Sequence, residues 1–258
     1  MSDETAKKAS GTLLILGGTA EAQALAGAAA ERFGARLRIV TSFAGLTQRP
    51  RVPAGEIRRG GFGGAEGLSA YLQSEDVRFV IDALHPFAAV MARHAVEACV
   101  AAGVPRLALR RAPWIVQPGD HWIEVADAEH AARALIEQRV RRVFFASGIK
   151  DVAAFAGLPD IWFLVRLAEP REETLPLERY GLIYARGPFD AAQDEALLKR
   201  HAIEAVICKN AGGAASYAKI AAARALGLPV VMIAAPKPPP GECALDVATA
   251  LCWLDRHL

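Results

Sequence analysis

The side chains and turns most suited to chemistry fall at Gly17-Gly18-Thr19, Ser42, Gly60-Gly61-Phe62-Gly63-Gly64 and His85 in the first half of the chain. In the second half they are the cations Arg166, Arg186, Lys209 and Lys219. The first group opens on a run of apolar residues, Leu13-Leu14-Ile15-Leu16, that meets the glycine pair directly and is followed by an Ala-rich segment. This pattern predicts a buried strand, a tight turn and a helix start. A helix N-terminus presents unpaired N–H groups and a partial positive charge, and glycine lets the backbone approach an anion, so the turn suits a nucleotide phosphate. The full Gly-x-Gly-x-x-Gly fingerprint is absent, because Gly17 and Gly18 are adjacent; Ala22 stands where a small residue lets helix and strand pack closely. A plain β–α connector has the same sequence, and the motif alone leaves both readings open.

The next strand ends Ile39-Val40-Thr41-Ser42-Phe43, without the acid that would bind the ribose hydroxyls of NAD. Arg49 and Arg51 follow. Hydroxyls with arginine suit a 2′-phosphate, since guanidinium makes charge-assisted, often bidentate bonds to phosphate, so a bound dinucleotide would be NADPH. The alternative is a solvated basic loop. Four glycines around Phe62 expose backbone N–H groups to a flat or phosphorylated ligand, or form a flexible hairpin. His85, after the apolar run Val77 to Ala83, stands where ligands bind in open α/β sheets and reads either as a hydrogen-bond donor or proton carrier, or as a helix cap. Among the cations, Lys209 stands apart because a strand end followed by Gly212-Gly213 is expected to face the interdomain cleft, where it could meet an anionic ligand. No residue is assigned as the general acid.

The elements that must position these groups alternate. Strands are predicted at 13–16, 36–41, 77–83 and 104–109, with helices at 20–32, 66–73 and 86–102. The irregular stretch 110–120 marks a crossing to a second domain. Beyond it the pattern predicts an isolated strand at 121–125, and strands at 142–146, 161–167, 182–185, 205–208 and 229–233. Helices are predicted at 127–138, 190–201, 214–226 and 246–257. The fold class is α/β: two Rossmann-like domains, 11–115 and 116–258, with mostly parallel sheets and an interdomain cleft. Residues 1–10 read as a disordered tail without the apolar core of a signal peptide. With 258 residues and a net charge of +2, the chain has room for a large core and no excess charge for nucleic acid. No apolar run is long enough to span a bilayer. The scattered Cys99, Cys208, Cys243 and Cys252 predict neither structural zinc nor a disulfide framework; no metal and a cytoplasmic location are expected.

Taken in order, several stretches resemble the precorrin-6A reductase family of cobalamin biosynthesis. They are Ile15 to Ala22, Gly60 to Gly64 with Gly67-Leu68 and Tyr71-Leu72, Ile81 to Ala88, Gly103-Val104-Pro105 and Arg110 to Trp114. In the second half they are Arg186 to Phe189, Lys209 to Gly213, Ala218-Lys219 and Leu226 to Val231. The ordered set carries the resemblance, not any single motif. Leu84 stands where threonine is common and Ala211 where serine is common, so neither is expected to make a polar contact. The resemblance implies an NADPH-dependent oxidoreductase acting on a CH–CH group, reducing one double bond of precorrin-6A to give precorrin-6B. It implies Gly17, Gly18 and Thr19 at the pyrophosphate, Ser42 and Arg49 at the 2′-phosphate, Gly61, Phe62, Gly63 and Gly64 beside the cofactor, and His85 at the nicotinamide. Arg166, Arg186, Lys209 and Lys219 would meet the carboxylates of the tetrapyrrole. The metal-free and cobalt-bearing substrates are not separated by these residues. Transient contact with neighbouring pathway enzymes is a further expectation. The rival readings are a reductase of a smaller enone or carbonyl, and a non-catalytic tetrapyrrole-binding protein. Replacing Arg49 with Ala is expected to raise KM for NADPH and leave that for NADH nearly unchanged; equal effects on both would overturn the 2′-phosphate role.

Overall fold

The computed structural model describes residues 11–43, 54–170 and 172–258. The expected tail at 1–10, and Arg49 and Arg51, lie outside them. The first elements are β1 (Thr12–Leu16), α1 (Ala20–Phe33), β2 (Arg38–Phe43), β3 (Glu56–Arg59), α2 (Gly64–Ser74), β4 (Val77–Asp82), α3 (Ala89–Ala102) and β5 (Arg106–Leu109). Next come β6 (His121–Val125), α4 (Ala128–Glu137), β7 (Arg142–Ala146), β8 (Trp162–Leu167), β9 (Tyr180–Tyr184), α5 (Ala191–Arg200), β10 (Ala205–Lys209), α6 (Ala218–Ala225) and β11 (Pro229–Ile233). The chain closes with β12 (Cys243–Ala244) and α7 (Val247–His257). Among the described residues, no helix is long and apolar enough to cross a membrane.

Each of two domains is built on a six-stranded, fully parallel sheet. The first has the order β12-β5-β4-β1-β2-β3 and the second β6-β11-β10-β7-β8-β9. Both are the doubly wound 3-2-1-4-5-6 arrangement, with the order reversing between β1 and β4 in one and between β7 and β10 in the other. The sixth position differs in origin. In the second sheet β6, which precedes the other five strands, fills it; in the first sheet β12, from the end of the chain, does.

This redraws the expected boundary. The first domain comprises the described residues up to Arg111 together with Pro236–Leu258, and the second is Ala112–Ala235. The final helix belongs to the first core because its apolar face buries Ala250, Trp253 and Leu254 among Leu13, Ile15, Phe79 and Leu107. A two-residue strand carries too little periodicity to be read in advance. The segment 121–125, expected to stand alone, pairs in parallel with β11, from Pro229↔His121 to Ile233↔Val125.

Local chemistry sets the helix ends. Thr19, Asp127, Asp190 and Asp246 accept from backbone N–H groups three residues on and so cap α1, α4, α5 and α7. Gly103 ends α3 in the left-handed conformation. The third helix begins at Ala89, later than the expected 86, and the segment expected as a helix at 214–226 is broken into a short 3-10 turn, Ala214–Ser216, and α6. β3 has one apolar residue and was not visible as a strand; Gly55, with φ of +86°, precedes it and Gly60 follows.

Trp253 is the anchor of the returning segment. It packs edge-on against Phe79 at 6.0 Å, and its indole N–H donates to Glu242 Oε2. Trp253→Ala is expected to destabilise the first domain by about 3–5 kcal/mol, read from urea denaturation. Limited proteolysis should then cut first within 236–258; unchanged stability would remove α7 from the first core.

Candidate active site

The glycine turn lies at the carboxyl end of β1, where the first sheet reverses order. Gly17 donates its N–H to the Ser42 carbonyl at 2.9 Å, and a Cβ there would come within 2.8 Å of Thr41 Cγ2. Only glycine lets the turn lie this close to β2. Thr19 Oγ1 donates to the Ala83 carbonyl at 2.9 Å and accepts from the Ala22 N–H at 3.1 Å, so one hydroxyl joins the turn to β4 and caps α1. Gly18 has φ of +119°, and no atom lies within 4 Å of where its Cβ would be. The turn is open on that side.

Ser42 is buried at the end of β2, and the β2–β3 register sets Arg58 beside it. Arg58 is the residue that sequence reading missed. Its guanidinium donates to the carbonyls of Gly60 at 2.6 Å and Gly61 at 2.9 Å, and approaches Ser42 Oγ at 3.5 Å. The same group lies over the Phe62 ring at 3.7 Å and the Tyr71 ring at 5.0 Å. The glycine loop is thus fastened from below by an arginine. Gly63 and Gly64 are both in positive-φ conformations, at +81° and +93°, and open α2 without a side-chain cap. The hint in the sequence was an arginine two residues before the glycine cluster, on a segment not recognised as a strand. His85 is exposed after β4, and its Nδ1 accepts from the Phe87 N–H at 3.3 Å.

In the second domain the four expected substrate cations separate. Arg166 is 9 % exposed and pairs with Asp194 at 2.6 and 3.3 Å, its guanidinium sandwiched between the rings of Phe144 and Phe189. Lys219 is equally enclosed: Nζ donates to the Ser216 carbonyl and lies 4.9 Å from the Trp114 ring centre. Burial pushes its ammonium below the usual lysine value. Both of these expected substrate cations are turned into the domain and engaged by local partners. Lys209 does end β10 at the order reversal, where it pairs with Asp151 at 2.7 Å, and Asp151 also accepts from Ser147 Oγ. Asn210 beside it exchanges two hydrogen bonds with the Trp114 backbone, at 2.8 and 2.9 Å. Arg186 is partly exposed and pairs with Glu169.

Burial raises the Cys99 thiol to about 12 and the Cys208 thiol to about 11, so neither supplies a thiolate near neutral pH. Among the described residues, no group of three or more His, Cys, Asp or Glu side chains is placed to hold a metal ion.

A doubly wound domain with a glycine turn at its order reversal defines the Rossmann-like class of α/β protein. The comparisons narrow that class. The model of the family Precorrin-6x reductase CbiJ/CobK matches residues 12–255, and the chain belongs to this family of oxidoreductases. It is 44% identical to the precorrin-6A reductase of Rhodococcus erythropolis, over 94% of this chain and 96% of that one. It is 28% identical to the cobalt-precorrin-6A reductase of Salmonella typhimurium, over 88% and 89%. A solved structure, CobK precorrin-6A reductase, matches with a TM-score of 0.89 at 43% identity, covering 96% of this chain and 97% of that one.

The buried pair gives a direct test. Asp194→Ala leaves Arg166 without its counter-ion and should cost about 3–5 kcal/mol in chemical denaturation. The double variant Arg166→Met/Asp194→Leu should recover most of that and keep the wild-type substrate KM. A raised KM in a stable double variant would return Arg166 to the substrate site.

Proposed function

We propose that this protein is a precorrin-6A reductase of cobalamin biosynthesis, which uses NADPH to reduce one double bond of the metal-free macrocycle and give precorrin-6B in the cytoplasm. The observation that carries this reading is the 44% identity over nearly the full length of both chains to a protein of that name. The metal-free substrate is favoured because identity to precorrin-6A reductases is 42% or more, against 28% or less to the cobalt-precorrin-6A reductases.

The residues present fit the dinucleotide: Gly17 has no room for a side chain, and Gly18 offers open space at the mouth of α1. The cofactor supplies the hydride. Gly17, Gly18 and Thr19 hold its diphosphate. Ser42, Arg58 and Arg49 take the 2′-phosphate; the absence of an acid at the end of β2 supports that choice over an unphosphorylated ribose. Gly61, Phe62, Gly63 and Gly64 flank the cofactor, and His85 lines the nicotinamide side. Lys209 and Arg186 serve the substrate carboxylates, their present carboxylate partners acting as exchangeable counter-ions.

The test is loss of reduced-nicotinamide absorbance with precorrin-6A, using NADPH and NADH in parallel and the cobalt-bearing substrate as a third arm. Turnover with precorrin-6A that strongly favours NADPH is expected; turnover only with the cobalt form, or none, would overturn the reading. Arg58→Ala should lower the NADPH-to-NADH preference by on the order of tenfold or more, the loss of a charged hydrogen bond. A parallel fall with both cofactors would confine Arg58 to holding the glycine loop.

A further inference from the structure

One charged cluster at the ligand edge of the first sheet has no part in the scheme above. Asp82, at the end of β4, is fully buried. Its carboxylate accepts from Arg106 Nη1 at 2.9 Å, from Arg110 Nη1 and Nη2 at 3.2 and 2.7 Å, and from the Leu84 N–H at 3.3 Å. Both oxygens are occupied, so the next residue, Arg111, has no claim on them. Arg111 points instead toward Glu21 in the first turn of α1, but Nε lies 3.7 Å from Glu21 Oε2, beyond hydrogen-bond distance. Arg111 Nη2, Arg110 Nε and Glu21 Oε2 are all buried without a hydrogen-bond partner.

Three guanidinium groups here face two carboxylates, and two guanidinium nitrogens are left without acceptors. A buried donor without an acceptor is costly, and a guanidinium fork matches a planar or tetrahedral oxyanion. The group lies at the carboxyl end of β5, beside β4, at the edge where doubly wound sheets bind ligands. We infer that Arg110 and Arg111 form an oxyanion subsite of the first domain, held rigid through Asp82, for a carboxylate or phosphate of the molecule bound at that edge. Substrate carboxylates and the cofactor diphosphate are the two sources of that chemistry. The choice between them rests on the functional reading above, whereas the subsite itself does not.

Arg111→Gln is the informative variant, because Asp82 does not hold Arg111 and the ion-paired core stays intact. In the full-length protein, either KM for precorrin-6A or Kd for NADPH should rise on the order of ten- to hundredfold, with Arg111→Lys falling between. A rise in KM alone identifies a substrate carboxylate, and a rise in Kd identifies the diphosphate. If neither changes in a variant that melts like the wild type, the subsite is overturned. If the wild-type protein fails to oxidise NADPH with precorrin-6A, the functional reading falls on its own. The subsite is then judged by thermal stabilisation with citrate and with pyrophosphate. Arg111→Gln should lose the stabilisation given by one of them; equal stabilisation of variant and wild type would overturn the inference.

Discussion

Asp82 ends β4 with a carboxylate that water does not reach, and guanidinium groups from β5 and its continuation close on it. Taking such a group out of water costs several kcal/mol, which only saturated hydrogen bonding offsets. Asp82 meets that condition with three arginine N–H groups and one backbone N–H. The consequence spreads along the sheet. Arg106 also donates to the Pro240 carbonyl at 3.2 Å, while the Ala108 and Arg110 amides donate to the carbonyls of Glu242 and Ala244. One buried anion therefore orders the side chains of the β4–β5 edge, beside the main-chain bonds that seat the returning segment on β5.

That returning segment explains how two sheets of identical order arise from one chain without two identical sequences. Each sheet needs a sixth strand beyond β5 or β11 to cover an edge that would otherwise expose unpaired backbone. The chain supplies it to the second sheet before building that sheet's other strands, and to the first sheet only at its end. Two residues of strand suffice in the first sheet because α7 adds the burial that β12 lacks, with Trp253 and Leu254 inside the core. The ligand-facing loops of the first domain are thus held partly by residues more than a hundred positions later.

Much of this was legible in the sequence, for physical reasons that can be named. Strands buried on both faces, such as Leu13 to Leu16 and Val206 to Cys208, appear as continuous apolar runs. The cap at Asp127 was readable as a helix start. The glycine turn was correctly placed at the end of β1. What stayed hidden lacked a periodic signal. β3 carries Glu, Ile, Arg and Arg and is a strand only because β2 pairs with it; missing it concealed Arg58. β12 is too short for any pattern, so the last 23 residues were grouped with the second domain, whereas they belong to the first.

The cations show the sharper limit. Arg58, Arg111, Arg166 and Lys219 are alike in a sequence, and each sits near glycines or at a strand end. Their roles diverge through the partners that the fold brings to them. Arg166 meets Asp194 on α5 and is neutralised inside an aromatic sandwich; Lys219 donates to the Ser216 carbonyl beside Trp114. Arg58 meets backbone carbonyls, which leave its full positive charge in place, next to a serine hydroxyl at the end of β2. Arg111 has a carboxylate near it but not bonded to it. A cation neutralised by a buried carboxylate, as Arg166 is, or fully enclosed, as Lys219 is, is committed to local partners, whereas a less buried one held by neutral acceptors, or left short of acceptors, keeps an electrostatic field for a ligand. By that criterion Arg58 and Arg111, on either side of the glycine turn in the strand order, are the first-domain cations whose charge is left for a ligand under the proposals above.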